Sequence, residues 1–353
     1  MKYIDIKRDN YMMKLVFYLA FLIIPFSVSA HHSVAVIFDT TEVVEAEGEV
    51  TSLIWRNPHV RFELSVENEE GETEIWDIEA TSLTNFRRRG LEGQLLHLGD
   101  TIRIAGNPAR SGPKRVYVEN ILLANGEEVV TEGRGQPRWS DKALGGDGPS
   151  GDGDGSALQL GIFRVWSSPL NQGLLFPEDV SPVFDYDRYP LTVSARQAVE
   201  AFDPVADSPI LNCVSKGMPT IMEQPYPMRF FLRGGDIILH LEEFDTFRTI
   251  HMAPDATADG QSGSKLGYST GRWEEGSLIV TTRYANWGYF DVVGIPLSED
   301  PHIVERFTLN ENGARLNYTL TVTDPGTFTE PVTLSKFWVW YPEITVEPYE
   351  CQT

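Results

Sequence analysis

Between Val43 and Ala124 apolar and polar residues alternate in short runs: VVEAEGEVTSLIW, HVRFELSV, TEIWDIEA, DTIRIAG and RVYVENILLA. A period of two is the mark of strands that bury one face, so this stretch is confined to β-structure. The third and fourth runs are separated by TSLTNFRRRG, where a Thr or Ser cap opens a short helical turn and Gly90 ends it. Five strands with a helix between the third and fourth is the order of a small OB-like barrel, expected over residues 31–125.

After Gly161 the runs resume as GIFRVW, MRFFLRG, DIILHLEEF, TFRTIHM, SLIVTTRYA, HIVERFTL, ARLNYTLTV, VTLSKFWVWY and TVEPYE, separated by Gly, Pro, Asp and Asn at hairpin distances. Only QAVEAF, residues 197–202, reads as helix. Successive antiparallel strands in this number predict an up-and-down, lipocalin-like barrel over 161–353, because closure removes exposed edges. Barrels of this size often hold one small ligand. The fold class expected is therefore all-β, two barrels in series.

Residues 126–160, above all GGDGPSGDGDGS, carry Gly and Asp with no hydrophobic period and read as a flexible linker. Asp-x-Asp-Gly resembles part of a calcium loop, but the closing Glu and following helix of an EF-hand are missing.

Lys and Arg number 29 against 51 Asp and Glu, a net charge of -22. Such a field repels phosphate backbones and excludes a general nucleic-acid binder, so small-molecule or metal ligands are the expected partners. Lys14 to Ala30 shows a positive start, an apolar run and the small exit Val28-Ser29-Ala30, which predicts a secretory signal peptide over 1–30. The apolar run is short and broken by Pro25, so no stable membrane span is expected after cleavage, and the mature chain is expected to be periplasmic or secreted. In an oxidising compartment Cys213 and Cys351 read as a disulfide closing a long loop, the alternative being two buried free thiols.

Cleavage after Ala30 leaves His31 as the first residue, followed by His32. A free α-amine and imidazole on one residue chelate a metal, and a second imidazole gives the nitrogen-rich set that Cu(II) favours. The arrangement resembles the N-terminal histidine chelate of secreted copper proteins. His59, in Asn57-Pro58-His59 at the opening of the second strand, offers a third imidazole. The plain alternative is two exposed histidines after a signal and a third at a strand end.

His31-His32-Ser33 with Phe38-Asp39, Trp55-x-Asn57-Pro58-His59, Trp76-x-x-Glu79, Arg88-Arg89-Gly90, Gly99-Asp100 and Gly106-x-Pro108-Ala109-Arg110 resemble a family of exported bacterial proteins catalogued as a domain of unknown function. The resemblance covers about residues 31–125 and implies no activity. Cys213 with Gly217-Met218-Pro219, Glu243 with Arg248, Gly271-Arg272-Trp273-Glu274, Glu305-Arg306-Phe307, Asp324-Pro325 and Tyr349-Glu350-Cys351 resemble an uncharacterised β-rich module of exported proteins.

In HIVERFTL the period of two sets Glu305 among Ile303, Phe307 and Leu309, a carboxylate in an apolar stripe that must be paired or protonated. TFRTIHM likewise sets Arg248 with Ile250 and Met252. An internal Glu305–Arg248 or Glu243–Arg248 pair would bind a polar group or work as an acid–base site, or be a structural ion pair. His240, His251 and His302 lie on strands with no metal-site spacing. YANWGYF, with Trp287 and Tyr289, reads as an aromatic loop over a ligand, joined by Trp273 and Glu243 as ligand-binding candidates, although core packing explains aromatics as well. No G-x-S-x-G, Walker loop, dinucleotide fingerprint or H-E-x-x-H is present.

The function expected is that of an exported binding protein, with a copper-type metal at His31, His32 and His59 and a small ligand in the second barrel. The alternatives are an enzyme using Glu305, Arg248 and His302 or His251, a copper-dependent oxidoreductase, and a docking module of an envelope complex.

Overall fold

The structure, a computed structural model, is described here for residue 34 to residue 351, apart from 35–36, 58, 132–134, 142, 146–152, 170–173, 178–185, 204–206 and 350. The expected signal peptide, His31 and His32 lie outside the described residues. The chain is mostly β and forms two barrels.

The first sheet contains β1 (Val44–Ile54), β2 (Arg61–Glu67), β3 (Thr73–Glu79), β4 (Thr101–Ala109), β5 (Gly112–Leu122), β6 (Glu128–Val130) and β7 (Ala143–Gly145). Their order is β3-β2-β1-β4-β5-β6-β7, and β3 also pairs in parallel with β5, closing β1 to β5 into a five-stranded barrel. Helix α1 (Leu83–Arg88) falls between β3 and β4, as the OB-like order requires. Its start is fixed by Ser82, whose side chain accepts from the Asn85 N–H at 3.1 Å.

Alternation does the sorting. Along β1 the carboxylates of Glu45, Glu47 and Glu49 face solvent while Ala46 and Val50 face inward. Phe62, Leu64, Ile78, Phe86, Ile104, Val116 and Val118 fill the barrel. Closure brings backbones close at Gly106, where an added Cβ would lie 2.2 Å from the Tyr117 carbonyl oxygen, so a side chain there would push β4 off β5.

The segment expected as a linker carries β6 and β7, which extend the first sheet. Glu128, fully buried, holds it by accepting from Asn120 Nδ2 and from the backbone N–H groups of Arg138, Trp139 and Ser140 at 2.7–3.0 Å.

The second sheet contains β8 (Val165–Trp166), β9 (Met228–Arg233), β10 (Asp236–Leu241), β11 (Thr246–His251), β12 (Tyr268–Glu274), β13 (Ser277–Arg283), β14 (His302–Leu309), β15 (Arg315–Thr323) and β16 (Val332–Val339), each hydrogen-bonded to the next. Just beyond β8, Ser167 and Val339 exchange two backbone hydrogen bonds of 2.9 Å, so the nine strands form a nearly closed barrel. One pair departs from the up-and-down expectation: β11 and β12 run parallel through Ile250↔Ser269 and His251↔Thr270. The polar, Gly-containing segment 252–267 is too long for a hairpin and returns the chain before β12 begins. Helix α2 (Val193–Ala201) lies between β8 and β9 in sequence and is capped by Thr192. TVEPYE, expected as a strand, forms none among its described residues.

Phe230, Leu239, Ile250, Val280, Phe307, Tyr318, Leu320 and Trp338 occupy the interior of this barrel, each at most 1% exposed. Cys213 and Cys351 form the expected disulfide, with Cα atoms 5.9 Å apart across a separation of 138 residues.

Candidate functional site

The residues proposed from sequence for acid–base chemistry separate into two groups. Glu305 of β14 and Arg248 of β11 both point inward and are 0% and 1% exposed. Arg248 Nη1 donates to Glu305 Oε1 at 2.9 Å, and Nη2 donates to Oε2. Tyr318 adds its hydroxyl to Oε1 at 3.0 Å, while Ser269 and Thr282 accept from Nε and Nη2 of the guanidinium at 2.8–3.1 Å and Nη1 also faces the Met222 sulfur at 3.9 Å. Burial alone would lower the Arg248 pKa, but the carboxylate beside it holds it above its ordinary value. Glu305 thus accepts three hydrogen bonds from within the barrel, and neither side chain is open to solvent. Of the two pairings expected, it is Arg248–Glu305, not Glu243–Arg248, that forms.

His251 and His302 sit on the outward face of the same strands. His251 Nδ1 lies 3.0 Å from Asp236 Oδ2 and its ring stacks on Tyr268 at 4.5 Å. The histidines thus share strands with Arg248 and Glu305 but face away from them, because each differs from its partner by an odd number of residues.

The ligand-binding candidates also divide. Trp273, about half exposed, lines an open cleft of about 400 Å³ with Met252, Pro254, Thr270 and Arg272. Glu243, Trp287 and Tyr289 instead surround the segment Lys216–Glu223. Lys216 Nζ pairs with Glu243 Oε1 at 2.9 Å, Gly217 packs so tightly on Trp287 that an added Cβ would fall 2.6 Å from its Cβ, and Thr220 Oγ1 donates to the Tyr289 carbonyl at 2.9 Å. This segment carries ionisable groups that the sequence reading missed. Burial, reinforced by Asp291, pushes the Glu223 carboxyl up to about 8. Burial also raises Asp291 to about 7 and depresses Lys336 to about 7. Lys336 donates to the Glu223 and Gln224 carbonyls at 3.3 and 2.8 Å. The available signal was Lys216 itself, standing next to the Gly-Met-Pro turn.

His59 opens β2 beside the last residue of β3. Its Nδ1 lies 3.1 Å from the Ala80 carbonyl oxygen and 3.5 Å from Glu79 Oε1, and its side chain is 23% exposed. Donation to that carbonyl places a proton on Nδ1, so that in the neutral ring the lone pair is on Nε2. Glu79 is buried and accepts from Arg61 and Arg115 at 3.0 and 3.1 Å. Burial would raise its carboxyl, but His59, Arg61 and Arg115 together hold it below the usual range. Among the described residues no group of three or more His, Cys, Asp or Glu is set to hold a metal.

The two barrels meet through polar contacts. Arg88, at the end of α1, donates to the Pro225 carbonyl at 2.7 Å, to Ser167 Oγ at 2.8 Å and to the Ser168 carbonyl, and burial lowers it to about 10. Asn57 Nδ2 donates to the Tyr349 carbonyl at 2.7 Å. Arg88 thus belongs to the domain junction, while its neighbour Arg89 is buried within the first domain and donates to the Thr131 carbonyl at 2.6 Å. No helix among the described residues is long and apolar enough to cross a membrane.

No curated protein matches the chain. Residues 20–117 match a family of unknown function, DUF6152, and the rest of the chain matches no family.

Proposed function

We propose that the chain is an exported metal-binding protein whose first domain carries a copper-type site built from the α-amine and imidazole of His31, the imidazole of His32 and Nε2 of His59. The observation that supports it is the anchoring of His59: Nδ1 is engaged by the Ala80 carbonyl with Glu79 behind it, while the ring remains partly exposed. Metal-ligating histidines are commonly held this way, because a partner on one ring nitrogen fixes the tautomer and raises the basicity of the other. The acidic charge of the chain favours cation capture. Nitrogen donors select copper over harder cations, which prefer oxygen.

The experiment is a Cu(II) titration with electron paramagnetic resonance on three proteins: the chain beginning at His31, the same chain with one extra N-terminal residue, and His59→Ala. A tight, nitrogen-rich tetragonal signal is expected for the first, lost on extension. The His59 variant is expected to bind at least tenfold more weakly. Identical spectra and affinities in all three overturn the reading.

A further inference from the structure

Tyr341–Cys351, the segment after the last strand, has no helix or strand among its described residues, yet it is tied down across the domain junction. Glu347 N–H donates to Glu242 Oε2 at 3.1 Å, and Tyr349 N–H donates to the Asp245 carboxylate at 3.2–3.3 Å. The buried Tyr349 ring packs between Tyr226 and Phe244, with centroids 5.3 and 5.0 Å away. All of these ties are to the second barrel. The Tyr349 carbonyl reaches the first, accepting from Asn57 Nδ2. Asn57 is held on its other side by Thr84, whose N–H and Oγ1 lie 3.4 Å from its amide oxygen and nitrogen. It stands two residues before His59.

The strap is thus joined to the His59 turn by one amide side chain. Two residues past that contact it is fastened covalently by Cys351 to Cys213, which lies in a loop after a short 3-10 turn at Pro209–Asn212. Ordering a segment whose described residues have no ladder of their own costs backbone entropy at each of them. A few hydrogen bonds and one buried ring oppose that cost, so the covalent tie is what makes the strap persistent. Both cysteines are partly exposed, within reach of an incoming thiolate.

We infer that Cys213–Cys351 is a thiol–disulfide exchange site, and that its state sets how firmly the strap holds Asn57 and, through it, the nearby His59. The co-reactant is a dithiol. Its thiolate attacks one sulfur of the pair to give a mixed disulfide, and its second thiol then displaces the protein sulfur. Two electrons and two protons pass to Cys213 and Cys351, which become thiols, and the dithiol leaves as its own disulfide. The reverse exchange with an oxidised dithiol re-forms the tie. Only the consequence for copper rests on the proposed metal site.

The test compares backbone hydrogen exchange and His59 ring resonances of the full chain, copper-free, oxidised and after treatment with dithiothreitol. The expected result is full reduction of the folded protein, at least tenfold faster exchange at Glu347, Tyr349 and Thr84, unchanged exchange at Val304 to Phe307, and a moved His59 resonance. A pair that resists dithiothreitol in the folded state overturns the inference. So does unchanged exchange at the strap, or an unmoved His59 resonance, once both thiols are free.

Copper affinity is read separately without a reductant, in Cys213→Ser/Cys351→Ser and in Asn57→Ala, which keeps the disulfide but removes the bridge. Both are expected to bind at least threefold more weakly than the wild type. Equal binding in all three overturns the coupling to copper. Absence of copper binding in the wild type fells the metal reading, while exchange and the His59 resonance still decide the strap.

Discussion

Arg248 and Glu305 face each other inside the second barrel through two parallel hydrogen bonds, with no exposed atom to speak of on either side chain. A buried ion pair is expensive to desolvate but far more expensive to break, because its survivor is left as an uncompensated charge. Glu305→Gln is therefore expected to destabilise the second barrel by about 3–5 kcal/mol, and Arg248→Met by a similar amount. The double substitution is expected to cost less than the sum of the two. Urea unfolding followed by tryptophan fluorescence measures this as a coupling energy in a double-mutant cycle.

The cluster around Lys216–Glu223 makes stability depend on pH in two opposed windows. Glu223, raised to about 8, and Glu242 and Asp291, each raised to about 7, bind more protons folded than unfolded. Their contribution is complete below the ordinary carboxylate range and is lost as the pH rises through 7 and 8. Lys336, depressed to about 7, has the opposite sign: its contribution is present above the ordinary lysine range and is lost as the pH falls towards 7. Stability is expected to fall between about pH 5 and 8 and to recover towards pH 10. Glu223→Gln should flatten the first limb and Lys336→Met the second, in chemical denaturation curves taken at half-unit pH steps.

The legible part of this protein was its alternation. Ala46 against Glu45 and Glu47, or Glu305 between Val304 and Arg306, announces strand and facing from two residues of spacing, and the OB-like order followed from five such runs with a capped helix between the third and fourth. The three-dimensional partners were harder to read. Arg88 sits in a run of three arginines that looks solvated, and only the approach of the second barrel's Pro225 and Ser167 makes it a partly buried plug. Glu128 lies in a segment whose composition marks a linker, yet a single carboxylate accepting three backbone N–H groups and an amide is enough to order it. TVEPYE has the apolar spacing of a strand, but Pro348 and the disulfide next to it make it a strap. Strand β12 escaped notice because Gly271 and Arg272 interrupt its pattern: Gly271 leaves the inward space to the Met252 sulfur, which an added Cβ would meet at 2.5 Å.

Loss of the disulfide also acts on the unfolded chain. A cross-link closing a loop as long as 138 residues removes chain entropy worth about 4–5 kcal/mol on the loop-closure model. Cys213→Ser/Cys351→Ser is expected to lower the thermal midpoint of the second domain by roughly 10–15 °C at about 2–4 °C per kcal/mol. The first barrel, which holds neither cysteine, should keep its own transition. Differential scanning calorimetry separates the two, and a variant whose midpoint stays within about 2 °C of the wild type would show that the unfolded chain is already compact.

Arg88 is the residue whose removal should separate the barrels. Its guanidinium satisfies the Pro225 and Ser168 carbonyls and Ser167, and it lies close enough to the buried Glu242 carboxyl to draw its pKa down, although burial still raises that group to about 7. Arg88→Met keeps the length and apolar stem but removes the donors, leaving the Pro225 carbonyl without its partner, the Ser168 carbonyl with only the long contact from Ser167 Oγ, and Glu242 without its cation. A buried carbonyl left unpaired costs about 1–3 kcal/mol, and that cost falls on the junction. The barrels themselves are untouched, since the first is filled around Phe62 and Ile78 and the second around Phe307 and Trp338. The expected result is two thermal transitions further apart than in the wild type, and faster proteolysis of residues 126–160 on limited digestion, with the far-ultraviolet dichroism of the native protein unchanged. A single cooperative transition in the variant would mean that Asn57 and the strap alone are enough to hold the two domains as one unit.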